Sequence, residues 1–370
     1  MTDIDTYALR SAAASEAPAP ALRYRPPMPR AYRPRIALIG AGGISAAHLA
    51  AYAAAGLDVA VIASRTLAKA EARRDAFFPA AEATDDIAAT LARPDIAVAD
   101  VTPHPADRLP LIEAALAAGK HVLSQKPFVL DLADGRRLCG LAEANGLRLA
   151  VNQNGRWAPH LAYLRQAVGA GLVGAVHSVE VSIHWDHSWI AGTSFDGIDE
   201  LILCDFAVHW LDFVASLGLA PIAVTATRAR AAGQAVASPL LAQATVGFDG
   251  GLATLAFDGA ARFGACDRTV IAGRDGTLTA HGPDLSTQAV TLATAAGLAR
   301  PALEGTWFRE GFLGTMGELL AALEEDREPE NGARANLDSL ALVFAAIASA
   351  ARGGIPVAPG EVTSLAEARG

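Results

Sequence analysis

Three groups of residues in this 370-residue sequence have types and spacings that could do chemistry. The first is Gly119-Lys120-His121-Val122-Leu123-Ser124-Gln125-Lys126-Pro127-Phe128, where a strand ends in a lysine followed by proline. Pro127 biases Lys126 toward extended backbone and can supply a cis bond, which would fix the direction of the amine. The second group lies around residues 203–217, where a helical reading gathers Leu203, Phe206, Ala207, Trp210, Phe213, Val214 and Leu217 into a broad apolar surface. Asp205, His209, Asp212 and Ser216 then fall on one stripe, at spacings of four, three and four. A solvated stripe usually carries Lys and Glu, whereas Asp-His-Asp suits a proton acceptor whose tautomer a neighbouring carboxylate holds. The third group is His184-Trp185-Asp186-His187-Ser188-Trp189. It reads as a pocket wall with aromatic faces and hydrogen-bonding tips; no second ligand group has the spacing of a metal site, so no metal is expected.

These groups need elements to hold them, and the stretch Arg35-Ile36-Ala37-Leu38-Ile39-Gly40-Ala41-Gly42-Gly43-Ile44-Ser45 begins the scaffold. An apolar run leads into clustered glycines and then into Ala-rich residues 46–55. Strand, tight turn and helix in that order open a dinucleotide-binding βαβ unit. The first helical turn leaves N–H groups unpaired and carries about half a positive charge, so a pyrophosphate is expected against Gly40, Gly42, Gly43 and Ile44. The second strand ends Val61-Ile62-Ala63-Ser64-Arg65-Thr66, with Ser64 where an acid would take the ribose hydroxyls of NAD. A carboxylate repels a 2′-phosphate, while a hydroxyl beside a guanidinium binds one, so NADP is expected over NAD. Stacking of Arg65 on adenine, which suits either cofactor, stays open.

From Arg35 onward, strands are expected at 36–39, 59–63, 97–101, 121–123 and 147–151. Helices are expected at 46–55, 67–77, 87–91, 106–118 and 132–144, and Gly56, Gly119 and Gly146 stand at C-cap positions. The alternation predicts an α/β Rossmann domain with a doubly wound parallel sheet. Beyond about residue 155 the texture changes to helices at 157–168 and 203–217, successive strands between 176 and 292 with turns such as Asp249-Gly250-Gly251, and helices again at 310–324 and 335–351. That pattern predicts an α+β domain with a large, mostly antiparallel open sheet, whose outer face is expected to pair subunits into a homodimer or homotetramer. The expected organisation is an extended arm over 1–34, a dinucleotide-binding domain over 35–154, and a substrate and oligomerisation domain over 155–370. The arm is rich in Ala, Pro and Arg; it is either a disordered tail or a strap on a neighbouring subunit or near the cofactor.

Composition narrows the function classes. With 52% hydrophobic and 19% charged residues the chain has enough apolar matter for full cores, and a net charge of −9 argues against a nucleic-acid partner. No uninterrupted apolar run reaches the roughly 18 residues of a membrane span. Residues 1–34 lack a basic start followed by an apolar core. Cys139, Cys204 and Cys266 are few, odd in number and widely spaced, so a reducing, cytoplasmic setting is expected.

Together these motifs resemble the family named for glucose–fructose oxidoreductase, inositol dehydrogenase and the rhizopine-catabolism protein (Gfo/Idh/MocA). The matching residues are Gly40-Ala41-Gly42-Gly43-Ile44-Ser45, Thr102-Pro103, Gly119-Lys120-His121-Val122-Leu123 with Lys126-Pro127, and Asp205 with His209, in order over roughly 35–352. The resemblance implies NAD(P)-dependent hydride transfer at a carbinol or keto carbon of a sugar, inositol or related polyol. It puts the catalytic lysine on Lys126, the carboxylate on Asp205 and the histidine on His209. It sets the cofactor against Gly40, Gly42, Gly43, Ile44, Ser64, Arg65, Thr102, Pro103, His104, Gln125 and Lys126. Taken with the pocket wall read at 184–189, the substrate is expected against Lys126, Asn154, Arg156, Trp157, His184, Asp186, His187, Asp205 and His209. In the expected mechanism His209 takes the hydroxyl proton, Asp205 orients the imidazole and Lys126 stabilises the developing alkoxide. Three departures stand out: Gln125 replaces the usual glutamate, Asp107 replaces a histidine with His104 lying earlier, and Glu200-Leu201-Ile202-Leu203-Cys204 replaces a glycine run. Two other readings stay open: a redox-neutral elimination or glycoside cleavage with tightly held nucleotide, and a non-catalytic, nucleotide-sensing binding protein.

Overall fold

Short aliphatic runs dictate the centre of the first sheet. The computed structural model describes residues 15–193 and 195–370. In it β1 (Arg35–Ile39), β2 (Val59–Ala63), β3 (Glu82–Thr84), β4 (Ile96–Val101), β5 (His121–Gln125) and β6 (Leu149–Asn152) form a sheet in the order β3-β2-β1-β4-β5-β6. Every pairing is parallel. Between the strands run α1 (Ser45–Ala54), α2 (Leu67–Phe77), α3 (Ile87–Ala92), α4 (Pro105–Ala117) and α5 (Leu132–Ala144). All five residues of β2 are buried, as strands covered on both faces must be. Strand order reverses between β1 and β4, which opens a crevice at their carboxyl ends. The expected doubly wound sheet is present. The sequence reading lacks only β3, whose Glu82-Ala83-Thr84 is a three-residue edge with no apolar run to announce it.

The second half contains α6 (Pro159–Gly169), β7 (Val176–His184), α7 (Val208–Ala215), β8 (Pro221–Ala229), β9 (Leu241–Phe248), β10 (Gly251–Asp258) and β11 (Cys266–Gly273). It continues with β12 (Gly276–Gly282), β13 (Ala289–Thr294), β14 (Gly297–Ala299), α8 (Trp307–Glu324), α9 (Ala333–Ala351) and α10 (Leu365–Arg369). Its eight strands run β14-β13-β12-β11-β7-β10-β9-β8, antiparallel throughout except for β7 beside β10. On β7 the buried Val179, Val181 and Ile183 alternate with outward Ser178, Glu180 and Ser182, so one face is core. Helix α9 is long and apolar enough to cross a membrane by composition. Here it is a core helix, with Leu340, Val343, Phe344 and Ile347 fully buried.

Two late or early segments tie the halves together. Helix α8 comes from the far end of the chain, yet its Phe312, Met316, Leu319 and Leu320 share a core with Ile36 and Leu38 of β1. Residues 15–34 run extended along the same chain. Ala17 N–H donates to the Leu298 carbonyl (2.9 Å), and the Glu324 carboxylate accepts from the N–H groups of Arg30, Ala31 and Tyr32 (2.6, 2.6 and 2.8 Å). A Cβ at Gly317 would collide with the Pro27 carbonyl, so glycine is what lets the arm lie on α8. Expectations for residues 1–14 lie outside the described residues.

One expected helix is two pieces. Over 203–217 the chain makes a π-helical segment, Leu201–Phe206, before α7. The Ala207 N–H reaches five residues back to the Ile202 carbonyl (2.7 Å), and this wider winding breaks the regular phase of the stripe from Asp205 onward.

Candidate active site

The glycine turn is built around a close approach. Gly40 has φ +100°, and a Cβ there would lie 2.8 Å from Thr102 Oγ1 and 2.9 Å from Pro103 Cδ, so only glycine fits. The Thr102 hydroxyl donates to the Gly40 carbonyl (2.8 Å), fastening β4 to the turn. A Cβ on Gly42 or Gly43 would meet nothing within 4 Å. The turn therefore opens onto free space ahead of the unpaired N–H groups of α1, and Gly42, Gly43 and Ile44 fit a dinucleotide pyrophosphate. Ser64 is buried at the end of β2, and Arg65 is exposed, paired with Asp107 at 2.9 Å. His104 is exposed at the start of α4. Arg73, which the sequence reading did not single out, leans from α2 onto the turn and donates to Ser45 Oγ (3.0 Å) and the Gly42 carbonyl (3.1 Å). Its signal in the sequence is faint: Arg73 is one of three cations on α2, beside the two acids Glu71 and Asp75, in the helix that follows Ser64-Arg65.

At the carboxyl end of β5 the Lys126–Pro127 bond is cis. Lys126 Nζ donates to the Asp205 carbonyl (2.6 Å) and stands 3.1 Å from the Asp205 carboxylate, joining the first sheet's edge to the second half of the chain. Beneath it Arg108 is fully buried. Its guanidinium donates to the carbonyls of Pro103 (2.9 Å), Gln125, Pro127 and Lys126 (3.4 Å), which holds the backbone around Lys126 from below. No carboxylate among the described residues pairs with it. Burial pulls the group down to about 9, with Asp205 opposing the shift. Arg108 was missed as well, although it shares the buried face of α4 with Ile112, Ala115 and Leu116. A charge at an apolar-stripe position is the sequence mark of such a residue.

His209 is half-buried, edge-on to Trp307 and Trp210, with ring centroids 5.6 and 6.2 Å away. Its Nδ1 has no partner among the described residues. Burial, reinforced by the Lys126 charge, holds it well below the ordinary histidine value, so it is neutral at physiological pH. Asp205 does not orient this imidazole, contrary to expectation. The π-helical winding takes the two residues out of phase, and the carboxylate instead meets the Lys126 ammonium. Asp212 leaves the stripe too: it is buried, accepts from Arg156 Nε and Nη2 (2.7 and 2.8 Å), and takes a third bond from Ser339 Oγ (2.7 Å).

The remaining expected substrate residues divide. Arg156 is committed to Asp212, and Trp157 is core, so close to Gly314 that a Cβ there would clash with its ring. His184 shares the outward side of β7 with Ser182, whose Oγ lies 3.0 Å from its Nε2. These three do not face the crevice, because their neighbours claim them or the strand's alternation turns them away. Asn154 accepts from Trp307 Nε1 (2.7 Å), which places it beside His209 through that ring. His187 packs edge-on against Phe206 at 4.4 Å, next to Asp205, while Asp186 caps the Ser188 N–H (2.8 Å). Trp307 itself gave no motif, since it is 98 residues beyond His209 in the chain.

Comparison with known proteins agrees with the two-part fold. Residues 34–153 match the model described as "Oxidoreductase family, NAD-binding Rossmann fold", and residues 161–279 match the "GFO/IDH/MocA C-terminal domain". The sequence is 28% identical over 347 residues to a D-apiose dehydrogenase of Paraburkholderia graminis, covering 86% of this chain and 88% of the relative. It is 27% identical over 331 residues to an inositol 2-dehydrogenase of Rhizobium meliloti, covering 86% and 97%. Among solved structures, an Agrobacterium radiobacter oxidoreductase in complex with NAD+, L-tartaric acid and magnesium shares the fold at a TM-score of 0.80 and 22% identity, over 89% of this chain and 99% of that one.

Proposed function

The chain belongs to the Gfo/Idh/MocA family of NAD(P)-dependent oxidoreductases, and from that premise we propose that it moves a hydride between NADP and a carbinol or keto carbon of a sugar, inositol or related polyol. The observation that carries the reading is the meeting of Lys126, from the cofactor sheet, with Asp205 and His209 from the second half in one crevice. The dehydrogenases named for apiose and inositol among its relatives support the substrate class.

When bound, the nicotinamide supplies a hydride acceptor or donor at C4. The chain's own residues handle the rest. Lys126 carries a positive charge beside the substrate oxygen; a unit charge about 4 Å away contributes about 4 kcal/mol at an effective dielectric near 20. His209 enters neutral and takes the hydroxyl proton as the alcohol is oxidised, or returns it in reduction. Asp205 is a positioning residue that aims the ammonium. Trp307, Trp210 and Phe206 wall the site and keep water from the reacting carbon. Arg65, Arg73 and Ser64, with no acid at the end of β2, support NADP over NAD. The open outer face of the eight-stranded sheet, with Ile222 and Leu252 exposed on its strands, supports a homodimer or homotetramer through that face.

Binding of NADPH and NADH followed by fluorescence, then a screen of aldoses, inositols and their keto forms, tests the reading. On a substrate so found, Lys126→Ala and His209→Ala should each lower kcat by about 10²–10⁴. Full turnover in both variants would overturn the assignment, and product formed without change in reduced nicotinamide would replace hydride transfer by a redox-neutral reaction.

A further inference from the structure

Behind the cofactor turn runs a chain of buried hydrogen bonds that the proposed reaction does not use. Asp100 on β4 is fully buried; its Oδ2 accepts from the Tyr52 hydroxyl (2.8 Å) and lies 2.7 Å from His48 Nδ1. His48 Nε2 is 3.0 Å from Asn152 Nδ2, and that same Nδ2 donates to Gln125 Oε1 (2.6 Å). Thr315 Oγ1 donates to Asn152 Oδ1 (2.9 Å). The bonds have a direction. The Asn152 NH₂ lies between His48 Nε2 and Gln125 Oε1 while its Oδ1 takes the Thr315 hydroxyl, so Nε2 accepts and the ring's proton sits on Nδ1 against the Asp100 carboxylate. The second N–H of Asn152 requires an oxygen opposite it. Gln125 must present its Oε1 inward.

The consequence is on the other side. The amide nitrogen of Gln125 is turned out of the network, and no described residue accepts from it. Gln125 is the last residue of β5, directly before Lys126. In a crevice of this topology the adenosine half lies by β2 and the pyrophosphate at the glycine turn, so the end of β5, beyond β4, faces the nicotinamide half. A carboxylate in this place would attract the cationic ring of oxidised cofactor; an amide does not.

We infer that Gln125 is a specificity-determining residue whose oriented N–H donates to an oxygen of the nicotinamide half, and whose neutrality biases the site toward the reduced cofactor. This rests on the dinucleotide reading of the crevice.

The test needs no substrate. Kd values for NADP+ and NADPH are measured on the full-length protein, wild type, Gln125→Glu and Gln125→Met, with thermal melts to confirm folding. In Gln125→Glu the ratio Kd(NADP+)/Kd(NADPH) should fall about tenfold, the effect of one added charge several ångströms from the ring. Gln125→Met, which keeps neutrality and loses the donor, should weaken both forms alike, about threefold to tenfold, and leave the ratio unmoved. A ratio unchanged in Gln125→Glu while both forms bind would overturn the bias, and unaltered affinities in Gln125→Met would overturn the donor role. Wild-type protein that binds neither dinucleotide would instead overturn the reading of the crevice itself.

Discussion

Buried polar groups are paired more completely around the first sheet than in the second half of the molecule. Around the first sheet, Asp100, His48, Tyr52, Asn152 and Gln125 share one continuous set of hydrogen bonds, and four carbonyls meet Arg108, although Asp100 Oδ1 and the Gln153 amide lack partners among the described residues. In the second half both oxygens of Asp267 lack a partner among the described residues, as do Thr269 Oγ1 and one ring nitrogen each of His160, His187 and His209. Satisfied groups keep fixed directions and serve as scaffold. Bare ones are driven to their neutral forms: burial, with Asp284 nearby, raises Asp267 to about 7, and burial alone lowers His160 to about 3. On the proposed reading the cofactor side of the crevice is a preset surface, while His209, on the substrate side, is neutral with its Nδ1 still free among the described residues.

The pair Arg156–Asp212 is a fully matched exception inside the second half, and it gives the largest expected effect. Asp212→Ala should cost about 3–5 kcal/mol, because it strands a buried guanidinium. Asp205→Ala, a quarter exposed beside Lys126, should cost about 1 kcal/mol or less while lowering turnover. Denaturant melts of the two variants side by side check this; equal losses would erase the distinction between scaffold and site along that segment.

Asp267→Asn comes next, and its sign separates it from the networked aspartate. The folded carboxyl holds its proton up to about 7 against 3.8 in the unfolded chain, so the stability it confers is full below pH 3.8 and is lost as pH rises toward 7. At pH 8 the amide should therefore stabilise by up to about 4 kcal/mol, at about 1.4 kcal/mol per pH unit, with no gain near pH 4. Asp100→Asn should instead destabilise at pH 8 by about 1–3 kcal/mol: its oxygen can still meet Tyr52 and His48, but the charge-assisted bonds become neutral ones and a buried NH₂ replaces Oδ1 with no acceptor opposite it. Melting temperature against pH distinguishes the two.

His160 shows the opposite slope. Its folded value of about 3 lies below the unfolded 6.5, so the unfolded chain takes up the proton first and stability falls as pH drops below 6.5. Between pH 6.5 and 5 this amounts to about 2 kcal/mol, which His160→Leu should remove from the acid limb of a stability profile. The smallest effect concerns two cations beside the proposed cofactor site. Arg65→Ala and Arg73→Ala should each weaken NADPH by about tenfold and leave NADH nearly unchanged, read from paired binding titrations.

How legible these features are in the sequence depends on how local their causes are. Helices α2 and α5 and strand β2 coincide with the ranges read from periodicity, and the glycine turn announces itself by residue type. Short elements escape: β3, β14 and α10 have three to five residues, too few to show a period. The antiparallel reading of the second sheet holds except where β7 lies parallel to β10, a choice between strands that are far apart in the chain. The chemical stripe fared worst, because its spacing presumed an α-helix throughout and the chain winds wider at 201–206.

By itself the sequence determined the longer helices and strands, the doubly wound first domain, the place of the dinucleotide turn and the candidacy of Lys126, Asp205 and His209. Backbone sterics and the alternation of apolar residues act over a few positions, and any reader of the chain has them in hand. Tertiary structure alone decided which partner each polar group meets. Lys126 reaches Asp205 across 79 positions, Arg156 reaches Asp212 across 56, and Thr315 returns to Asn152 across 163. A charged group's role follows from what neutralises it, and burial brings those neighbours together only once the whole chain is packed.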